Sequence, residues 1–126
     1  MSRAFIASCH HLKDHTYDEQ AARDESFVCD WATGAAFILW ARAFWEIGGF
    51  DEQFFLYEED HDLCLRLKQS GGLVLAVPSV KVKHQWARAS KRFLAWKHIR
   101  LHFMSGLRFY RKHPQLALGR GIASSQ

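Results

Sequence analysis

Four carboxylates, Glu58, Glu59, Asp60 and Asp62, fall within five positions of the stretch "FFLYEEDHDLCLRLKQSGG" at residues 54–72. Neighbouring like charges repel, and each makes the next harder to ionise. Such a cluster persists most readily where a metal, another cation or the acidic hydrogen of a substrate offsets it, so proton abstraction and cation binding are the chemistries it points to. A structural account competes with that one. Asp is a favoured helix N-cap, and acids in a first helical turn gain about 0.3–1 kcal/mol from the helix dipole. Capping explains one carboxylate easily and four only in part. On the 3.6-residue period Asp60 shares a face with Cys64 and Leu67, which belong to a core, so its carboxylate is expected at the edge of packed structure rather than in bulk water.

Other residues with chemical potential are weaker signals when taken singly. His84 ends an expected strand ahead of the polar loop "QWARAS", where a satisfied surface or core histidine is a sufficient account. Gly34 reads as a turn. Cys9, His10, His11 and His15 lack a second ligand pair at zinc-like spacing, so no metal is expected there.

The elements that must hold these residues follow from periodicity. Residues 1–26 are polar and aperiodic, an irregular or weakly helical lead-in. "FVCDW" and "AAFILW" read as short strands joined by the Thr33-Gly34 turn, and "ARAFWEIGGF" places Ala43, Phe44 and Ile47 on a helix face that stops at Gly48-Gly49. A helix from about Asp60 to Ser70 closes at Gly71-Gly72. "LVLAVP" and "VKVKH" read as strands around Pro78-Ser79, the second with Val80 and Val82 on one face. A basic, aromatic helix over about 90–113 ends at Pro114, and residues 115–126 read as a frayed tail. For Phe93, Trp96 and Phe103 the simplest expectation is core packing.

At 126 residues and 48% hydrophobic content the chain has the length of one domain and enough apolar matter for a core. The longest apolar run, "GAAFILWA", is far short of the roughly 20 residues a bilayer span needs. Three separated cysteines fit reduced thiols rather than a disulfide framework. All 13 acids lie at or before Asp62: residues 1–62 hold four Lys and Arg for a net charge of −9, and the remainder carries +13. That asymmetry suggests a surface built for anions, whether pyrophosphates, anionic lipid or nucleic acid, beside an acidic site. Two halves that pair by charge would give the same split.

The order of these signals carries more than any one of them. "DWATGAAFILWARAFWEIGGFDEQFFLYEEDHDLCLRLKQSG", then "LAVPSVKVKH", then the serine of "RAS", resembles the C-terminal, acceptor-side half of family 2 glycosyltransferases, especially the rhamnosyltransferase-like members that build bacterial cell-wall polysaccharides. The resemblance covers roughly residues 27–114. It implies an α/β architecture, a partial GT-A fold (the nucleotide-diphospho-sugar transferase fold) with a short mixed sheet and about three helices. It also implies roles. Asp60, with Glu59 before it, matches the acidic pair whose Asp acts as general base on the acceptor hydroxyl in inverting members. Gly34 matches the glycine of the loop beside acceptor and donor sugar, and Asp30 an acidic position that implies acceptor contact. His84 matches a histidine that helps hold the divalent cation or the donor pyrophosphate, and Arg88 and Ser90 fall where phosphate contacts are expected.

The departure from that family is an absence. Its members carry an N-terminal nucleotide-binding half with an Asp-x-Asp motif that grips Mg²⁺ or Mn²⁺, and here the only Asp-x-Asp spacing is Asp60-His61-Asp62, inside the acidic motif itself. The expectation is therefore a truncated or split enzyme whose own hold on cation and nucleotide-sugar donor is weak or absent. At least one sheet edge and one apolar face should be exposed, inviting a complementing N-terminal half or a homo-oligomer. The implied acceptor is a glycan or a polyprenyl-linked sugar. The implied location is cytoplasmic, or peripheral on the cytoplasmic face of the inner membrane, against an anionic surface. A catalytically inactive remnant or interaction module is the alternative function, and nucleic acid is a less favoured partner for the basic helix.

Overall fold

A computed structural model of the chain describes residues 4–7, 25–82 and 92–117. In chain order the elements are β1 (Ala4–Ala7), β2 (Phe27–Val28), β3 (Phe37–Ile38), α1 (Ala41–Glu46), α2 (Glu59–Gln69), β4 (Leu73–Ala76), α3 (Arg92–Lys112) and α4 (Pro114–Ala117). The chain divides into two compact units, residues 1–50 with 60–85, and residues 51–59 with 86–126.

The first unit holds a mixed sheet in the order β2-β4-β1-β3. β1 runs parallel to β4, with Ala4 opposite Leu73 and Ala7 opposite Ala76, while β3 lies antiparallel to β1 and β2 antiparallel to β4. The expected irregular lead-in is therefore corrected at residues 4–7, which form a central strand. Backbone pairing on both sides specifies this strand, a cue that four residues without periodicity do not provide. Both edge strands are two residues long and leave Val28 and Ile38 exposed. Short edges of this kind limit strand addition by other chains.

The core of this unit gathers Ala32, Ala43, Cys64, Leu67 and Val74, with Cys29, Trp31, Phe37, Leu39 and Ile47 packed against it. Helix α1 buries Ala43, and α2 buries Leu63, Cys64, Leu65 and Leu67. Cys29 and Cys64 are free thiols, and Cys9 lies outside the described residues. Both helices end as their Gly-Gly pairs predict. Gly48 and Gly71 take φ of 85° and 81°. The following glycines donate back to the carbonyls of Phe44 (2.8 Å) and Leu67 (2.9 Å), while Gly48 and Gly71 donate to Trp45 and Lys68, the paired bonds of a Schellman motif.

"VKVKH" is not a strand in its described part. The amide of Val80 donates to the Val77 carbonyl at 3.1 Å, closing a turn with Pro78 at its second position, and Val80 and Val82 are both exposed. Alternation marks a strand only where a pairing edge and a core face are on offer, and the described residues 80–82 show neither.

The second unit is organised by α3, which packs on residues 51–59. Phe109 meets Phe54, Ser105 donates to the Leu56 carbonyl at 2.7 Å, and Lys112 pairs with Asp51. Pro114 stops α3 as expected but also opens α4, where its fixed φ and missing N–H suit a first helical position. The described residues thus hold four helices rather than about three, and residues 115–117 are helical where a frayed tail was expected. Trp96 and Phe103, expected in a core, are 77% and 68% exposed; the side chain of Phe93 lies outside the described residues.

A Cβ at position 72 would stand 2.7 Å from Leu67 Cγ and 3.0 Å from its carbonyl oxygen, whereas at Gly106, inside α3, it would meet nothing within 4 Å. Gly72→Ala is therefore expected to lose about 1–3 kcal/mol in urea unfolding through overpacking. Gly106→Ala should gain about 0.5–1 kcal/mol by reducing backbone entropy in the unfolded chain.

Candidate functional site

The extended segment that leaves β2 lies along the first three turns of α2. Gly34 donates its amide to Asp60 Oδ2 at 2.8 Å, Ala32 accepts a weak bond from the Cys64 thiol at 3.9 Å, and Asp30 accepts from Lys68 Nζ at 2.6 Å. The steps match because two residues of extended chain advance about 6.6 Å and four residues of helix about 6 Å. Positions 60, 64 and 68 recur at four-residue steps along one side of the helix, and 34, 32 and 30 face them in reverse order. From the same two segments the Trp31 and His61 rings meet edge to face, with centroids 3.7 Å apart.

Asp60 stands at the mouth of this ladder, half-buried. It is the second residue of α2 rather than the residue before it, and it does not act as the conventional N-cap. Its Oδ1 accepts the amide of His61 at 2.9 Å while Oδ2 takes Gly34. Two backbone donors fix the carboxylate. A carboxylate offers about four acceptor positions, so lone pairs remain for a further proton or donor.

The other acids of the cluster have different employment. Asp62 is fully buried and accepts from Arg66 Nε at 2.7 Å, one helical turn on. The same guanidinium donates to the carbonyls of Ile47 (2.5 Å) and Gly49 (2.7 Å), so it fastens the C-terminal end of α1 onto α2. Glu59 opens α2 and is half-buried. Tyr57 and Glu58 just before it take φ of 66° and 68°, a left-handed bend that costs non-glycine residues on the order of 1 kcal/mol each. Within the second unit the Tyr57 hydroxyl shares a 3.2 Å hydrogen bond with His98 Nδ1, the donor set by the histidine tautomer, and its ring lies 4.8 Å from that of His102. These contacts hold the bent residue.

Of the residues singled out from sequence, the structure brings Asp60 and Gly34 together and places Glu59 beside them in the chain. Asp30 lies on the same segment with its side chain 93% exposed and paired to Lys68. His84, Arg88 and Ser90 lie outside the described residues, as do Cys9, His10, His11 and His15. Lys68, Trp31, His61 and Arg66 escaped the sequence reading. Arg66 was within reach of it, since Asp-x-x-x-Arg is the spacing of an ion pair on one helix face.

The family resemblance implies a divalent cation in a complete enzyme and a weak or absent hold on it by this chain, and the residue it implies as ligand, His84, lies outside the described residues. No three His, Cys, Asp or Glu side chains among them converge on a point that could hold a metal. Both Asp60 oxygens accept backbone amides, and Asp62 is engaged by Arg66.

Among curated proteins the chain is similar to rhamnosyltransferases. It is 40% identical over 75 residues to the N-acetylglucosaminyl-diphospho-decaprenol L-rhamnosyltransferase of Mycobacterium tuberculosis, a match covering 60% of this chain and 24% of that protein. It is 35% identical over 82 residues to rhamnosyltransferase WbbL of Escherichia coli, covering 65% of this chain and 31% of the relative. The chain thus spans between about a quarter and a third of the length of these relatives. No family model matches it, and no solved structure does. Among the described residues no helix is long and apolar enough to cross a membrane.

The two acids at 60 and 62 should separate cleanly on substitution. Arg66→Leu removes the ion pair from the buried Asp62 carboxylate and is expected to lower stability by about 3–5 kcal/mol. Asp60→Asn keeps one oxygen for the Gly34 amide but turns an NH2 toward the His61 amide, and is expected to cost about 1 kcal/mol, well below the Arg66 change. Urea unfolding followed by circular dichroism reads both.

Proposed function

We propose that this chain contributes the acceptor side of a rhamnosyl transfer, as part of a family 2 glycosyltransferase with the GT-A fold, and that Asp60 is its general base. The observation that carries the reading is the carboxylate held from two sides by backbone amides at the rim of a packed ladder, in a chain whose relatives are rhamnosyltransferases. A base is effective when its position is fixed before the substrate arrives.

In the proposed step an acceptor hydroxyl gives its proton to Asp60 while its oxygen attacks the anomeric carbon of the donor sugar. The new carbon–oxygen bond forms on one face as the bond to the diphosphate breaks on the other. The nucleoside diphosphate departs with the bonding electron pair, and the anomeric configuration inverts. The acceptor class follows the relatives' names: a sugar carried on a polyprenyl diphosphate, or a glycan. The 126 residues hold no Asp-x-Asp ahead of Gly34, and donor binding is proposed to fall to sequence outside them. Glu59, next in chain to Asp60, is proposed to help shape the same site, and Asp30 to contact the acceptor from its exposed position.

The test supplies the chain with the segment of the Mycobacterium tuberculosis relative that it does not match, a nucleotide-activated rhamnose and an N-acetylglucosaminyl-diphospho-polyprenol. Transfer is expected from the combination, and Asp60→Asn should lower kcat by about 10²–10⁴-fold with little change in KM. No transfer by the combination, together with no saturable acceptor binding by the chain alone, would leave an inactive interaction module as the better account.

Gly34→Ala gives a second handle. Its Cβ would lie 3.7 Å from Asp60 Oδ2, an ordinary contact. The fold should therefore survive, with an unchanged Tm. On this reading the added methyl stands beside the base where the acceptor hydroxyl must come, so acceptor KM is expected to rise.

A further inference from the structure

Helix α3 has two faces, and the more apolar one is uncovered. The covered face carries His98, Ser105, Phe109 and His113, packed within its own unit on Tyr57, Leu56 and Phe54. The opposite face carries Trp96, Ile99, Phe103, Leu107 and Tyr110, which are 77%, 60%, 68%, 48% and 53% exposed. At 100° per residue these five side chains fall in an arc of about 80° and run about 21 Å along the helix. A helix whose only task is to close a water-soluble core shows the reverse arrangement.

Charge identifies what this face meets. Lys97, Arg100, Arg108 and Arg111 are exposed along one flank of the stripe, and α3 contains no acid, nor does any position after Asp62. Trp96, Lys97, Arg100 and Leu101 line an open groove in which an anionic headgroup would meet two cations. We propose that α3 docks this chain on an anionic lipid surface, with the five apolar side chains at the acyl boundary and the basic flank among the phosphates. This is the arrangement of an interfacial amphipathic helix.

Two other occupants fit less well. A second copy of α3 would bring two basic flanks together with no acids to offset them. Single-stranded nucleic acid stacks successive bases about 3.4 Å apart along a strand, whereas Trp96, Phe103 and Tyr110 recur every seven residues, about 10.5 Å, with aliphatic Ile99 and Leu107 between them. The inference does not depend on glycosyl transfer, because adsorption needs no turnover.

The test is co-sedimentation of the whole chain with vesicles of phosphatidylglycerol mixed with phosphatidylcholine, and of phosphatidylcholine alone, at low and high salt. Binding is expected to the mixed vesicles, to weaken with salt, and to be nearly absent from the neutral ones. Arg100→Gln and Arg111→Gln should each lower partitioning about fivefold. Trp96→Ser combined with Phe103→Ser should lower it more than tenfold while circular dichroism stays unchanged, since both side chains are exposed. Three outcomes would overturn the proposal: no vesicle binding, binding that the double serine variant retains in full, or self-association or oligonucleotide retention in place of vesicle binding.

Discussion

The hydrogen bond from the Gly34 amide to Asp60 is the constraint around which the first unit is arranged. It is the terminal rung of a ladder in which an extended strand exit and a helix advance at nearly equal rates, so that every second residue of one meets every fourth of the other. The middle rung lies in the core, where Ala32 and Cys64 are each 1% exposed. Burial there fixes the spacing, and the two outer rungs inherit it. Apolar packing one turn away thus sets the register at which the Gly34 amide meets the Asp60 carboxylate.

The density of acid at residues 58–62 has no single cause. Asp62 is turned inward to hold Arg66, Asp60 is turned toward the strand exit, and Glu58 occupies a left-handed bend. Side chains one or two positions apart on a helix point in different directions, which separates carboxylates that look crowded in sequence. Repulsion within the cluster is eased by geometry, and Asp60 is left half-buried with both oxygens held by backbone amides.

How much of this was legible depended on the range of the interaction. The Gly-Gly helix stops, the strand at Leu73–Ala76 and the helix beginning at Asp60 were readable because local backbone preference and short periods govern them. β1 was not, because its pairing partners are β3 and β4, far along the chain. That residues 34 and 60 serve one site was implied only by family resemblance, and the bond between them was not foreseen, since no local rule links positions 26 apart. For α3 the periodicity revealed an apolar stripe correctly but gave no means of telling which side the rest of the chain covers. The expectation of a core for Trp96 and Phe103 failed there.

Arg66 has a consequence for motion as well as for structure. Its guanidinium spans three acceptors, on Asp62, Ile47 and Gly49, so the end of α1 cannot loosen without also disturbing a carboxylate sealed inside α2. The two helices should therefore open as one cooperative segment. Amide protons near residues 47–49, which a six-residue helix would ordinarily surrender to solvent by fraying, should instead exchange on the slower timescale set by its longer neighbour.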